Sequence, residues 1–162
     1  MLESRIARAA AKLWYTKMIY VQQSVPVPRD SPVIVSGADD PDRVLLIGNG
    51  PTHGWGTVTH ELALTGQLAR GLTRRTTRPT DIQYIGDEMM PIAAVQSFIG
   101  DTSIAPFDLV VVVLSMNDAV RLTPADEYRA DMIRLLDRLS AETKPSARIV
   151  IAGIQDLSLI HI

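Results

Sequence analysis

The sequence predicts an α/β domain built on a parallel sheet, and three observations lead there. Four short apolar runs, "RVLLI" at 43–47, "DIQYI" at 81–85, "DLVVVVL" at 108–114 and "ARIVIAG" at 147–153, are separated by segments of helical character. The first, third and fourth runs lack polar alternation, the pattern of strands covered on both sheet faces. A β-α-β-α-β-α-β order then calls for parallel strands joined by right-handed crossovers. Composition agrees, because 46% hydrophobic against 21% charged residues supports a packed core and excludes a disordered or fibrous chain.

Taken in order, residues 1–23, "MLESRIARAAAKLWYTKMIYVQQ", form an amphipathic pattern. On a helix, Ile6, Ala10, Leu13, Trp14, Met18 and Val21 share one face, with Arg5, Arg8, Lys12 and Lys17 beside the aromatic cluster Trp14, Tyr15 and Tyr20. Such a helix suits packing on the domain or a peripheral contact in a membrane interface. Lys12 and Lys17 interrupt the apolar residues, so no run approaches the roughly 18–20 that span a bilayer. An apolar core followed by a small-residue cleavage site is missing, so a cytoplasmic location is expected. Residues 24–42, "SVPVPRDSPVIVSGADDPD", are dense in Pro and Asp and read as a linker, with the folded domain covering 43–156.

Inside the domain, "THELALTGQLARGL" from Thr59 turns Leu62, Leu68 and Leu72 to one side, with Gly66 permitting close packing. After the third strand, Thr123 is a candidate cap, Pro124 suits a first turn and Asp126 the third position. Tyr128, Met132, Leu135, Leu136 and Leu139 form the stripe facing the sheet.

Charge and composition narrow the function. Sixteen Lys and Arg against 18 Asp and Glu give a net charge of −2, which offers no basic field for nucleic acid. The chain has no cysteine, which removes disulfides, thiolate zinc sites and a Cys nucleophile. With three scattered His, no metal site is expected, nor any cofactor.

Function in such sheets concentrates at the carboxyl ends of the strands, where two loops stand out: "GNGPTHGWG" after the first strand and "SMNDA" after the third. Gly48, Gly50 and Gly54 approach a dinucleotide fingerprint, in which glycines let the backbone reach a pyrophosphate. That reading wants an acidic residue about 20 positions on, whereas Asp87 lies much further along. Pro51 also removes a backbone N–H where the phosphate needs one. A dinucleotide-binding domain is therefore the lesser alternative.

Together, "LLIGNGPTHGWG" and "VVVLSMNDA" resemble the SGNH, or GDSL, hydrolase family, whose first block is a strand followed by Gly-Asp-Ser and whose third is a strand followed by Gly-x-Asn-Asp. The likeness covers about Arg43 to Asp156, with Asn117-Asp118 its most specific part. It implies a three-layer α/β/α domain with a flavodoxin-like parallel sheet. It also implies ester hydrolysis or acyl transfer on a small acyl ester, with a Ser nucleophile, a His base near the chain end, and an oxyanion held by backbone N–H groups and the Asn side chain.

Carried over residue by residue, Gly48 matches the family's Gly, Asn49 stands where Asp is expected and Gly50 where the nucleophilic Ser is expected. Gly50 then keeps only its backbone donor. Asn117 matches the oxyanion Asn, Asp118 the following Asp, Ser115 replaces the block's Gly, and Gly86 is the candidate for the second-block oxyanion Gly. Thr52 and Ser115 are hydroxyls near the same rim, either of which could act as a displaced nucleophile. Without the resemblance, Gly50 is a positive-φ turn residue, Asn117 and Asp118 make an Asx turn, and His53 and His60 are solvated loop or helix-start residues.

The family's Asp-x-x-His block lies beyond a fifth strand, while this sequence ends shortly after the fourth. "LSLIHI" reads as a translated transposase-adapter sequence, so residues 157–162 are expected to be an artefactual tail on a truncated gene and His161 not to be catalytic. Two functions follow: an SGNH-type hydrolase or acyl transferase without the usual nucleophile, or a non-catalytic module on the same fold that binds a small acyl ester or carboxylate.

Overall fold

The computed structural model describes residues 25–153. The expected helix at 1–23 with its membrane contact, and the tail at 157–162 with His161, lie outside the described residues. Among those described, no helix is long and apolar enough to cross a membrane.

The elements in chain order are β1 (Asp42–Gly48), a 3-10 turn (Gly50–His53), α1 (Leu64–Thr76), β2 (Thr80–Gly86), a 3-10 turn (Ile92–Ala94) leading into α2 (Val95–Ile99), β3 (Leu109–Val113), α3 (Met116–Arg121), α4 (Ala125–Glu142) and β4 (Arg148–Ile151). All three strand pairings are parallel and the spatial order is β2-β1-β3-β4. This is the flavodoxin-like arrangement, with helices on both faces of the sheet.

Alternation along the strands builds the two cores. Leu45, Ile47, Val110 and Val112 face one way and pack with Val95, Ile99, Leu135 and Leu139. Val44, Leu46, Ile82 and Val111 face the other way, against Leu64, Leu68 and Leu72 of α1. Both sets are apolar because both faces are covered, which is why β1 and β3 show no period of two.

Two helix starts differ from expectation. The α1 helix begins at Leu64 rather than Thr59, because the residues before it form a separate turn held by Asp30, whose carboxylate oxygens accept the His60 N–H at 3.0 and 3.1 Å. The Thr65 hydroxyl and the Gly66 N–H, each at 3.0 Å, close that turn on the His60 carbonyl. A Cβ on Gly66 would lie 2.0 Å from the Glu61 carbonyl oxygen, so the close packing expected there is made against this turn. Thr123 does not cap α4; Pro124 precedes the first helical residue, and the Thr123 hydroxyl donates to Asp118 Oδ1 at 3.1 Å. The stripe on α4 otherwise holds, with Leu135 and Leu139 buried and Tyr128 and Met132 packed beside them.

The Pro-rich stretch read as a linker lies along the domain over much of its described length. The Gly56 N–H donates to the Pro26 carbonyl at 3.0 Å. Ile34 and Ile82 exchange antiparallel hydrogen bonds of 2.9 Å on the outer edge of β2. Farther along, Asp81 Oδ1 accepts from the Ser36 N–H at 2.7 Å and from its hydroxyl at 2.6 Å.

Candidate functional site

With strand order β2-β1-β3-β4, the connections leave β1 in one direction and β3 in the other, so the crevice at the carboxyl ends of these two strands is where a ligand site is expected. Gly48 ends β1, level with Gly86 of β2 and Val113 of β3. A Cβ on Gly48 would stand 2.5 Å from the Val113 carbonyl oxygen, so only glycine allows the three strand ends to close up. Next, Gly50 adopts φ +50 with open space where a Cβ would be and starts the 3-10 turn, with Pro51 as its second residue. On the far side, Ser115 precedes α3 at φ +114, a conformation that suits the glycine found there in the resembled family better than a serine.

The residues singled out from the sequence come together around the irregular segment after β2. The Gly50 N–H donates to the Glu88 carbonyl at 3.3 Å, and Asn117 Nδ2 donates to the same oxygen at 3.0 Å. Asn49 Nδ2 donates to the Met90 carbonyl at 2.7 Å, and Asp118 Oδ2 accepts the Ile92 N–H at 3.0 Å. Asn49, Asn117 and Asp118 are all buried. Two donors meeting at one carbonyl oxygen is the arrangement that stabilises a developing oxyanion; here the oxygen is the protein's own.

Gly86 has another part. It pairs with Gly48 at φ +157, and a Cβ there would lie 1.9 Å from the Gly48 carbonyl oxygen. What the β2 loop brings to Gly50 and Asn117 is a carbonyl acceptor from Glu88, not a glycine N–H. The two hydroxyls are also committed. Thr52 is buried and donates to the Asn49 carbonyl at 3.0 Å, while Ser115 Oγ lies 2.5 Å from the Tyr128 hydroxyl. Ser115 and Tyr128 line a cavity of about 250 Å³, together with Asp118, Ala119, Thr123 and Ala125.

Three participants carried no signal in the sequence. Trp55 Nε1 donates to Glu88 Oε1 at 2.6 Å, and Arg121 Nη2 donates to the Met89 carbonyl at 3.0 Å. Arg121 follows Asn117 by one helical turn, a spacing that places both on one face of α3. Finding them required knowing that the β2 loop folds back over the strand ends.

Of the two described histidines, His60 is buried rather than solvated and His53 is half-buried. His60 is buried and its Nδ1 lies 3.0 Å from Asp30 Oδ1; burial works against ionisation of that carboxyl, yet the hydrogen bonds from His60 prevail and hold Asp30 below the usual carboxylate range. His53 sits with its ring centroid 6.2 Å from that of Tyr84, and its Nδ1 has no hydrogen-bond partner among the described residues. Tyr84 donates to the Gly48 carbonyl at 3.0 Å, and burial, with the Asp87 charge adding to it, pushes its hydroxyl up to about 12. Among the described residues no group of three His, Cys, Asp or Glu could hold a metal ion.

No protein-family model matches this sequence, and no curated protein matches it either. The functional reading therefore rests on the site.

Proposed function

We propose that this is an SGNH/GDSL-type domain directed at a small acyl ester or its carboxylate, and that this chain holds the acyl group without forming an acyl-enzyme. The observation that carries the reading is the convergence of the Gly50 N–H and Asn117 Nδ2 on one carbonyl oxygen, at 3.3 and 3.0 Å. An ester carbonyl or a carboxylate offers the same acceptor. Gly50 has no side chain to attack it, and the hydroxyls of Thr52 and Ser115 are engaged elsewhere. These engagements favour binding over hydrolysis or acyl transfer by a displaced nucleophile. The dinucleotide alternative loses support because the Gly50 N–H serves the β2 loop and Pro51 has none. A cytoplasmic small-molecule role, without nucleic acid, fits the near-neutral charge.

The test is acetate titration by NMR of the full chain and its Asn117→Ala variant, after both are shown to fold equally. Acetate should perturb the Gly50 N–H, and the variant should bind more weakly by about 1 kcal/mol, because the Asn117 amide makes a stronger hydrogen bond to a charged carboxylate than to the neutral Glu88 carbonyl it gives up. Equal affinities remove the site. A fluorophosphonate probe should leave the chain unlabelled, and short-chain aryl esters should turn over no faster than with denatured protein. An adduct mapped to Thr52 or Ser115 overturns the binding reading in favour of hydrolysis.

A further inference from the structure

We infer that the segment Asp87–Pro91 is a self-occluding strap, latched by Trp55 to Glu88, and that a ligand oxygen enters the site by displacing the Glu88 carbonyl. This rests on the reading proposed above and adds how access to that site is controlled.

The inference starts from competition. The Glu88 carbonyl takes hydrogen bonds from both Gly50 and Asn117, so a ligand oxygen at the same point requires that carbonyl to leave. The strap is held unequally along its length. Its far end is fixed in buried surroundings, where Met90 and Ile92 are each 1% exposed and are tied to buried Asn49 and Asp118. Its near end is looser: Asp87 is exposed, and Glu88 and Met89 are half-buried. Gly86 precedes it at φ +157, a backbone conformation that L side chains rarely adopt.

Within that looser end, the one side chain tied to the β1 turn is Glu88. Its carboxylate accepts the Trp55 indole N–H at 2.6 Å, a charge-assisted hydrogen bond of the stronger kind. The Arg121 bond to the Met89 carbonyl is exposed, where water competes for both partners. Breaking the Trp55 contact therefore frees the part of the strap that carries the Glu88 carbonyl and leaves the anchored part in place. Where only the open form binds, the apparent affinity falls with the fraction open, and loosening the latch raises it.

The experiment uses the full chain with acetate as probe, comparing wild type with Trp55→Phe and Glu88→Gln, and follows the Gly50 amide and the Trp55 indole N–H by NMR. Trp55→Phe keeps most of the ring and removes the donor, and should bind acetate on the order of tenfold more tightly, a shift of about 1.4 kcal/mol. Glu88→Gln keeps a side-chain acceptor without its charge and should fall between the two. In wild type the indole N–H should shift with acetate at the same midpoint as the Gly50 amide. Asn117→Ala added to Trp55→Phe should cancel the gain. Acetate binding at Gly50 with equal affinity in all three proteins and a still indole resonance would sink the strap while leaving the site intact. Absence of acetate binding in wild type and in both latch variants would sink the site and the strap together.

Discussion

The loops after β1 and β2 lie side by side at the carboxyl edge of the sheet and have opposite hydrogen-bonding characters. The β1 turn presents donors to its neighbour: the Gly50 N–H, Asn49 Nδ2 and Trp55 Nε1. The β2 loop answers with acceptors: the carbonyls of Glu88 and Met90 and the Glu88 carboxylate. A loop without regular structure has carbonyls left over, and the turn beside it has amides left over. Each therefore satisfies the other, and what reads as a ligand site is also a structural joint.

The two loops also use glycine differently, which gives the largest expected effect. At Gly86 an added Cβ would meet the Gly48 carbonyl oxygen at 1.9 Å in a backbone conformation that side chains rarely adopt, whereas at Gly50 it would meet nothing within 4 Å. Gly86→Ala should therefore cost about 3 kcal/mol or more, the sum of strain and overpacking. Gly50→Ala should cost about 1–2 kcal/mol for the left-handed backbone alone. Thermal melts of the two variants check the order, and similar losses would mean that the β2 end relaxes more freely than its contacts imply.

A smaller effect separates the two asparagines. Asn49 supplies the side-chain donor of the Met90 carbonyl, while Asn117 shares the Glu88 carbonyl with the Gly50 N–H. Asn49→Ala should destabilise by about 1–3 kcal/mol, the cost of leaving a buried acceptor unpaired. Asn117→Ala should lose less, because its acceptor keeps a second donor. Chemical denaturation of both distinguishes them, and a larger loss at Asn117 would make it chiefly a structural residue.

Sequence alone reached the sheet, and placed the residues it singled out at the carboxyl ends of two strands, for identifiable reasons. Unbroken apolar runs such as "LVVVV" have few alternatives to a covered strand, and Gly48, Asn49, Gly50 and Asn117 follow two of those strands directly, so strand position fixes theirs. The resemblance to SGNH hydrolases offers roles for them and for Gly86 that stand as proposals; what the fold itself shows is Gly86 closing against Gly48 and the second loop meeting Gly50 and Asn117 with the Glu88 carbonyl. Glu88, Trp55 and Arg121 were illegible for a different reason. Each matters only through the fold of an irregular segment whose carbonyl directions no periodicity encodes. The Asp30–His60 pair was hidden likewise, since a Pro-rich stretch reads as a linker until its carboxylate is seen capping a turn.

That pair gives the smallest expected effect and a defined sign. Asp30 accepts the His60 N–H and lies against its ring, and these hydrogen bonds outweigh desolvation to hold the carboxyl below its ordinary value. A depressed folded pKa means that the ionised form is favoured by folding. Its contribution is then fully present above the unfolded value of about 3.9 and fades as pH falls through the lower folded value. Asp108 follows the same rule, its desolvation outweighed by Lys144 and the Arg43 N–H, so its contribution should fade in acid as well. Asp30→Asn isolates the first term, because the amide oxygen still accepts from the His60 backbone while the charge is gone. Its melting temperature should lie below that of wild type at neutral pH and converge with it as the solution is acidified past Asp30's folded pKa. A gap that stays constant from neutral to acid pH would show that the docked N-terminal stretch is held by packing and backbone contacts such as Ile34 to Ile82, with the Asp30 charge contributing nothing.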